Sequence, residues 1–284
     1  MLRHLCLIIS LLNYKKMKKT ALVTGASAGI GKATAIYLAQ NGYYVYGAAR
    51  RLEKMQDLIP YGIKPMSLDV TNEESLKACV SQIISEVGCI DILVNSAGLG
   101  SYGALEDVPM QEARNLIDIN LFGTARLIQL VLPQMRENKF GKIVNLSSVG
   151  GKVYFPMGSW YHASKHAIEG LSDCLRVEVK QFGIDVIVIE PGATKSEMIE
   201  IGAADLMRVS GNTPYQNLAK SIAKTYSSMN AVEPIVIAKL IKKGIEAKQP
   251  KARYVGGDMV RPILFMRRIL SDKMFDKMIL SQMK

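Results

Sequence analysis

Seven short apolar runs, each parted from the next by a stretch of helical spacing, restrict this chain more than anything else in its sequence. They are "TALVTG" (20–25), "YYVYGA" (43–48), "GIKPMSLDV" (62–70), "DILVNSAG" (91–98), "KIVNLSS" (142–148), "IDVIVIEPG" (184–192) and "ARYVGG" (252–257). A strand wet on one face alternates apolar and polar residues, and most of these do not. They read as strands covered on both faces. Helical patterns fill the gaps at 30–42, 72–88, 109–136, 161–182 and 231–247, with Thr71 as the expected N-cap of the second. Strands alternating with helices predict an α/β, doubly wound, seven-stranded and mostly parallel sheet with helices on both faces. No repeat or linker divides it, so a single domain over 17–257 is expected, with 193–230 as a substrate lid.

Charge is unevenly placed. Of the net +11, residues 1–20 carry +5 and residues 241–284 carry +7, which leaves the body at −1. Basic ends on a neutral body argue against a nucleic-acid groove and fit solvated tails or a surface touching anionic lipid. Cys6, Cys79, Cys89 and Cys174 form no Cys-x-x-Cys pair, which points to reduced thiols and a cytoplasmic setting. His162 and His166 are spaced for a metal, but no third ligand stands near, so no metal site is expected. The apolar run from Leu5 to Leu12 is too short to span a bilayer, and no small-residue cleavage site follows it. Residues 1–16 read as a dispensable extension ahead of a natural start at Met17.

The first strand-to-helix turn is "TGASAGIG", with Gly25, Gly29 and Gly31 at G-x-x-x-G-x-G. Glycines let the chain reverse tightly and let backbone approach a ligand, while the following helix aims free N–H groups at the turn. A Walker loop is excluded: the glycine spacing is one residue too long, and Ala33 follows Lys32 where a Ser or Thr belongs. After the first strand of a doubly wound sheet, such a turn is a dinucleotide site.

"TGASAGIG", "NSAG" (95–98), "NLSS" (145–148), "YHASK" (161–165) and "PG" (191–192) occur in the order typical of the short-chain dehydrogenase/reductase family. Over roughly residues 18–257 the chain resembles that family. The resemblance implies a Rossmann-type sheet, a nicotinamide cofactor, and hydride transfer to or from a carbonyl or alcohol. It assigns cofactor contacts to Gly25, Ser27, Gly29, Ile30, Gly31, Asn95, Ala97, Gly98, Pro191, Gly192 and Thr194. Two departures are minor: Ser96 stands where the family often has a second asparagine, and Thr194 where it often has an apolar residue. "AARRLEKM" and the basic C-terminal extension resemble the branch holding hydroxysteroid and retinol dehydrogenases.

Reducing a ketone requires a proton on oxygen, hence a general acid within hydrogen-bond reach. Tyr161 and Lys165 lie one helical turn apart, on one face. Alone, that pattern also fits a packed ring beside a lysine reaching for water. The resemblance makes Tyr161 the acid/base and Lys165 the cation that lowers its pKa and bonds the cofactor's ribose. It makes Ser148, rather than Ser147, the serine that polarises the carbonyl. It gives Asn120 a proton-relay water, against the alternative of a polar residue in a packed helix.

Cofactor choice depends on the end of the second strand, where an NAD-selective site places an acid about 20 residues beyond the glycine turn. Here stand Arg50 and Arg51, with no acid before Glu53. Arg50 suits a 2′-phosphate through bidentate hydrogen bonds, unless it is only a solvated basic turn. NADP(H) is expected, with NAD(H) as the alternative. Asp69 and Val70 resemble the family's adenine contacts, with helix capping a rival role for Asp69.

Substrate walls should come from 149–160 and 193–230. Val153, Tyr154, Phe155, Met157 and Trp160 are the large apolar candidates, beside Ser148 and Tyr161, and Met198, Ile199 and Met207 offer a lid. They favour a hydrophobic alcohol or carbonyl, although the same surfaces could join copies in a homo-oligomer, a dimer or tetramer. Residues 258–284 predict one basic amphipathic helix from about Ile263 to Met283. Such a helix could flank the substrate entrance, join a dimer, or lie peripherally on a membrane. The rival to an enzyme is a cofactor-binding regulator with little turnover.

Overall fold

A computed structural model describes residues 18–227 and 230–281; residues 1–16, expected as an extension, lie outside the described residues, as do the side chains of Met198 and Ile199. The strands are β1 (Thr20–Thr24), β2 (Tyr44–Ala49), β3 (Lys64–Ser67), β4 (Ile92–Asn95), β5 (Gly141–Leu146), β6 (Ile184–Pro191) and β7 (Arg253–Gly256). All seven are parallel, in the order β3-β2-β1-β4-β5-β6-β7. The expected fold class is met. Strand order reverses between β1 and β4, and the carboxyl ends on either side of that point form the crevice where ligands of such sheets sit.

Both faces are covered, as the unbroken apolar runs require. On one face α1 (Gly29–Gln40) supplies Ala35 and Leu38, a 3₁₀ segment (Leu52–Tyr61) supplies Met55 and Leu58, and a helix at Pro234–Glu246 supplies Ile237, Ile241 and Ile245. On the other, α2 (Glu73–Val87) contributes Leu76, Val80 and Ile83. Beside it, α3 (Met110–Ile117) and α4 (Thr124–Glu137) flank a π-helical stretch, Asp118–Gly123, and Leu127, Val131 and Met135 of α4 are buried. Next comes α5 (Ser159–Glu178). The chain then forms α6 (Glu197–Ser210), α7 (Gln216–Ser227), α8 (Pro234–Glu246), α9 (Val260–Ile269) and α10 (Asp272–Ser281).

Three expectations are corrected. The N-cap of α2 is Asn72, whose side chain accepts from the Ser75 N–H, not Thr71, whose N–H and hydroxyl donate to Asp69. The long helix over 109–136 is interrupted by the π-helical stretch that carries Asn120. The single C-terminal helix is two helices. Leu270 is extended there (φ −84°, ψ 141°), and the chain restarts at Asp272, so that Phe275 and Ile279 fold back onto Val153.

Candidate active site

The turn from β1 into α1 is shaped by its glycines. Gly25 sits at φ +68°, and a Cβ there would lie 2.8 Å from the Ser96 carbonyl oxygen. A Cβ on Gly31 would lie 2.4 Å from the Gly25 oxygen, so the turn closes only with glycine. Thr24, whose role the sequence did not signal, locks this turn to the end of β4: its hydroxyl accepts from the N–H groups of Ser96 (3.0 Å) and Ala97 (2.9 Å). Ala28 precedes α1 without a side-chain cap, and the first turn holds no acid. The helix start is therefore left to a ligand, and its N–H groups and dipole fit a pyrophosphate.

At the end of β2, Arg50 is exposed and its charge acts on Asp69, while the Arg51 Nη2 donates to Ser27 Oγ at 3.3 Å. Arg51 thus reaches the glycine turn, while Arg50 stands near Asp69. Asp69 is partly engaged in its own turn. Burial raises its carboxyl, but the two Thr71 hydrogen bonds and Arg50 outweigh that and hold it below its usual pKa. Val70 packs against Gly123, where a Cβ would meet the Val70 oxygen at 2.6 Å. Gly98 opens toward the reacting groups: a Cβ there would lie 3.4 Å from Asn120 Oδ1 and 3.8 Å from Lys165 Nζ.

Asn95 closes β4 at the crevice. Its side chain is buried and donates to Asn145 Oδ1 (2.8 Å), and Asn145 Nδ2 donates in turn to Ser172 Oγ (2.9 Å). It ties β4 to β5 because a buried amide must be satisfied. At the end of β6, Gly192 N–H donates to Gly256 O (2.7 Å), and Thr194 is buried with its hydroxyl on the Gly192 carbonyl (3.1 Å). Ser196, just beyond, approaches the other side of the crevice: a Cβ on Gly29 would lie 3.3 Å from the Ser196 Cβ.

Tyr161 and Lys165 share one face of α5, as their spacing requires. Lys165 is buried, its ammonium donates to the Leu146 carbonyl at 2.8 Å, and it stands 5.8 Å from the centre of the Tyr161 ring. Burial lowers its pKa to about 8, opposed by Glu169 one turn on. Ser148 faces the Tyr161 phenol and favours its ionised form. Its oxygen accepts from the Gly150 N–H (3.0 Å). Ser147 is buried and turned away, as the alternation of a strand dictates. The expected lowering of the Tyr161 pKa is not something the protein achieves by itself. Burial raises the phenol, and only Ser148 works against it. Lys165 spends its charge on a carbonyl instead.

Asn120 is buried and fully engaged by protein groups. Its Oδ1 accepts from Leu99 N–H (2.7 Å), and its Nδ2 donates to Leu99 O (2.9 Å) and Ser164 Oγ (3.0 Å). It thus ties the loop after β4 to the helix bearing Tyr161. His162, weighed from sequence only as a metal ligand, is a strap. Its Nδ1 lies 2.9 Å from the Gly150 oxygen and its Nε2 accepts from Phe155 N–H at 3.1 Å, so the ring is neutral with the proton on Nδ1. Burial keeps it so by lowering its pKa. Among the described residues no group of three metal-ligating side chains occurs.

Beyond Tyr161 the ring of Tyr102 lies 5.9 Å away, and past it opens an apolar cleft of about 420 Å³. Ala104, Leu105, Pro156, Met157, Tyr215 and Leu218 supply most of its walls, with Glu106 and Ser159 as polar members. Met157 is held at φ +66°, a conformation that costs a non-glycine residue roughly 1–2 kcal/mol. Gly103 N–H fixes it by donating to its carbonyl at 2.8 Å. Of the expected wall residues, Met157 lines this cleft, and Phe155 and Trp160 do not. Phe155 packs with the C-terminal helices and beside His162, while Trp160 is half-buried with its Nε1 unpartnered.

The family model for short chain dehydrogenase matches residues 19–205. The chain is 32% identical to the NADPH-dependent 3-dehydrocapnine reductase of Ornithobacterium rhinotracheale, over 93% of this chain and 97% of that protein. It is 42% identical to the 3-ketodihydrosphingosine reductase of Bacteroides thetaiotaomicron, over 60% of this chain and 62% of that protein. A short-chain dehydrogenase from Streptomyces avermitilis superposes with a TM-score of 0.79 at 32% identity, covering 92% of this chain and 96% of the other. Glycine turn, reversal of strand order, Tyr161–Lys165 face and matches agree: the chain belongs to the short-chain dehydrogenase family of oxidoreductases.

Proposed function

We propose that the protein is an NADP(H)-dependent oxidoreductase that interconverts a hydrophobic alcohol and its ketone or aldehyde, running as a ketone reductase. The observation that carries this reading is the convergence of Ser148, Tyr161 and Lys165 at the carboxyl ends of β5 and α5's first turns, beside a dinucleotide-shaped turn. The glycine turn and the start of α1 would hold the pyrophosphate, Lys165 the ribose, and Arg50 and Arg51 a 2′-phosphate. Ser27, Ile30, Ala97, Gly98, Pro191, Gly192 and Thr194 border the same crevice, and Asp69 with Val70 the adenine end. When bound, a nicotinamide dinucleotide supplies or accepts the hydride.

The chain's own residues handle the proton. The Ser148 hydroxyl bonds the substrate oxygen and draws charge toward it. Tyr161 gives that oxygen its phenolic proton in reduction and takes it back in oxidation. Lys165, charged below about pH 8, stabilises the phenolate left behind. Asn120 keeps the loop after β4 in register with Tyr161 through Ser164. Reduction as the working direction follows two relatives whose names specify reductases, one of them NADPH-dependent. The apolar cleft supports a hydrophobic substrate. A homo-oligomer would cover Phe122 and Val177, which are 60% and 73% exposed.

The test is NADPH oxidation with a panel of hydrophobic ketones that includes 3-ketodihydrosphingosine. Tyr161→Phe should lower kcat by at least roughly a thousandfold with dinucleotide binding retained. Arg50→Ala should weaken NADPH about tenfold and leave NADH unchanged. Near-equal NADPH oxidation by wild type and Tyr161→Phe across the panel would favour a regulator, and a better kcat/KM for NADH would refute the NADP(H) preference.

A further inference from the structure

The outward faces of α9 and α10 combine two features that rarely share a surface without reason. Along α9, Arg261, Phe265, Arg268 and Ile269 follow i, i+4, i+7, i+8 spacing and are all exposed. Phe265 is 61% exposed and Ile269 56%, and Met259 at the start of the helix is 67% exposed. Along α10, Lys273, Met274, Lys277 and Leu280 are exposed, with Met274 at 55% and Leu280 at 56%. Both helices bury their other faces against the same Val153–Phe155 segment, through Phe275, Ile279, Ile263 and Leu264. Their basic, apolar faces therefore both turn away from the protein.

The region holds three acids against more cations: Asp258, just ahead of α9, accepts from the Met259 N–H (2.9 Å). Asp272 pairs with Arg267 (2.8 Å), and Asp276 accepts from the Tyr154 hydroxyl (2.8 Å). Arg267 is itself structural, with its guanidinium 5.4 Å from the ring centres of Tyr154 and Phe275. Among the described residues, Arg261, Arg268, Lys273 and Lys277 meet no acid. Four cations outside any ion pair, set among large exposed apolar side chains, match a surface that is negative outside and apolar beneath. That is the chemistry of an anionic phospholipid leaflet. A second copy of this face would bring like charges together, which disfavours self-association.

We propose that α9 and α10 form a membrane-docking face for anionic phospholipid, seated beside the Val153–Met157 segment that borders the apolar cleft. Charge draws the face to the headgroups, and Phe265, Ile269, Met274 and Leu280 enter the boundary with the acyl chains. Binding is separate from turnover, so it stands or falls apart from the activity proposed above.

The experiment is co-flotation of the full chain with vesicles of phosphatidylcholine alone, or of phosphatidylcholine mixed with phosphatidylglycerol. Thermal melting checks that every variant is folded. We expect binding to the anionic vesicles only, weakened by salt. Arg261→Glu with Arg268→Glu should reduce partitioning by at least about thirtyfold, at roughly 1 kcal/mol per basic residue removed. Phe265→Ser with Ile269→Ser should reduce it about tenfold or more. Full binding by both double variants would overturn the proposal, as would equal binding to neutral vesicles. Absence of vesicle binding, with a dimer that Phe265→Ser and Ile269→Ser abolish, would overturn it in favour of a second copy.

Discussion

Two carboxyls lie buried behind Lys165 and share the cations of Lys152 and Arg253, with Arg253 Nε 3.1 Å from Glu190 Oε1. Glu169 accepts from Arg253 Nε (2.9 Å) and pairs with Lys152 (3.0 Å), while Glu190, at the end of β6, lies beside it. One oxygen of each acid has no hydrogen-bond partner. Burial first, and then the charge of Glu169, push Glu190 up to about 7, against Lys152 and Arg253. A carboxyl whose folded pKa is raised contributes stability that is fully present below its unfolded pKa, near 4.3, and lost as pH rises through the folded value. Glu190→Gln should therefore remove a loss of up to about 3 kcal/mol between roughly pH 4.3 and 7. Melting curves across that window should fall less steeply for the variant than for wild type, and equal slopes would refute the assignment. Sequence exposed Tyr161, Lys165 and Ser148 because each belongs to an ordered set of motifs. It did not expose Glu190, Thr24 or the strap role of His162, because their partners come from distant segments.

Strands were legible as elements, because a β-branched apolar run buried on both faces leaves little other choice. Helix interruptions were less so. A π-helical stretch shows no break in apolar spacing, and the stop between α9 and α10 rests on Ser271 and Asp272, a helix-start signal inside an otherwise helical pattern. The segment expected to act as a lid contains α6 and α7, fastened to α3 and to the loop before it. Arg208 holds Glu112 with two bonds (3.1 and 2.8 Å), and Tyr215 donates to Glu106 (2.8 Å). Asp107 Oδ2 accepts from Ser210 Oγ (2.6 Å) and Thr213 Oγ1 (2.8 Å), and Ser210 in turn accepts from Ala104 N–H (2.9 Å). Hydrogen bonds to a charged group contribute roughly 1.5–3 kcal/mol each, so this joint closes the element more firmly than the exposed ion pair beside it. Asp107→Ala should loosen α6 by about 2 kcal/mol or more. Hydrogen exchange should quicken across 197–213 while β1 and β4 stay protected, and KM for an apolar ketone should rise about tenfold. Unchanged exchange in α6 would mean that the helix is held by packing alone.

Across the whole molecule the segment 153–157 is gripped from two sides. Met157 faces the cluster of Tyr102, Leu206 and Ile222, and Val153 faces Phe275 and Ile279. The C-terminal pair is thus part of the same packed body as the site. Removing everything after Gly257 would also strip Val260, which is buried at the end of β6, where a Cβ on Gly192 would lie 2.4 Å from its side chain. Such a truncation should disturb the dinucleotide crevice as well as the substrate side, so it cannot separate the two. A single buried ring can. Phe275 is fully buried, edge-on to Tyr154 at 5.3 Å between ring centres, and has no contact with the glycine turn. Phe275→Ala should cost about 3–5 kcal/mol and lower Tm by several degrees. Because the cavity opens beneath Val153 and Tyr154, KM for an apolar ketone should rise several-fold while the Kd for NADPH stays within about twofold. An equal loss of both affinities would show that the two sides of the crevice move as one, through Val260 and Gly192. A fall in Tm with both affinities intact would show that the 153–157 segment keeps its shape without the C-terminal helices.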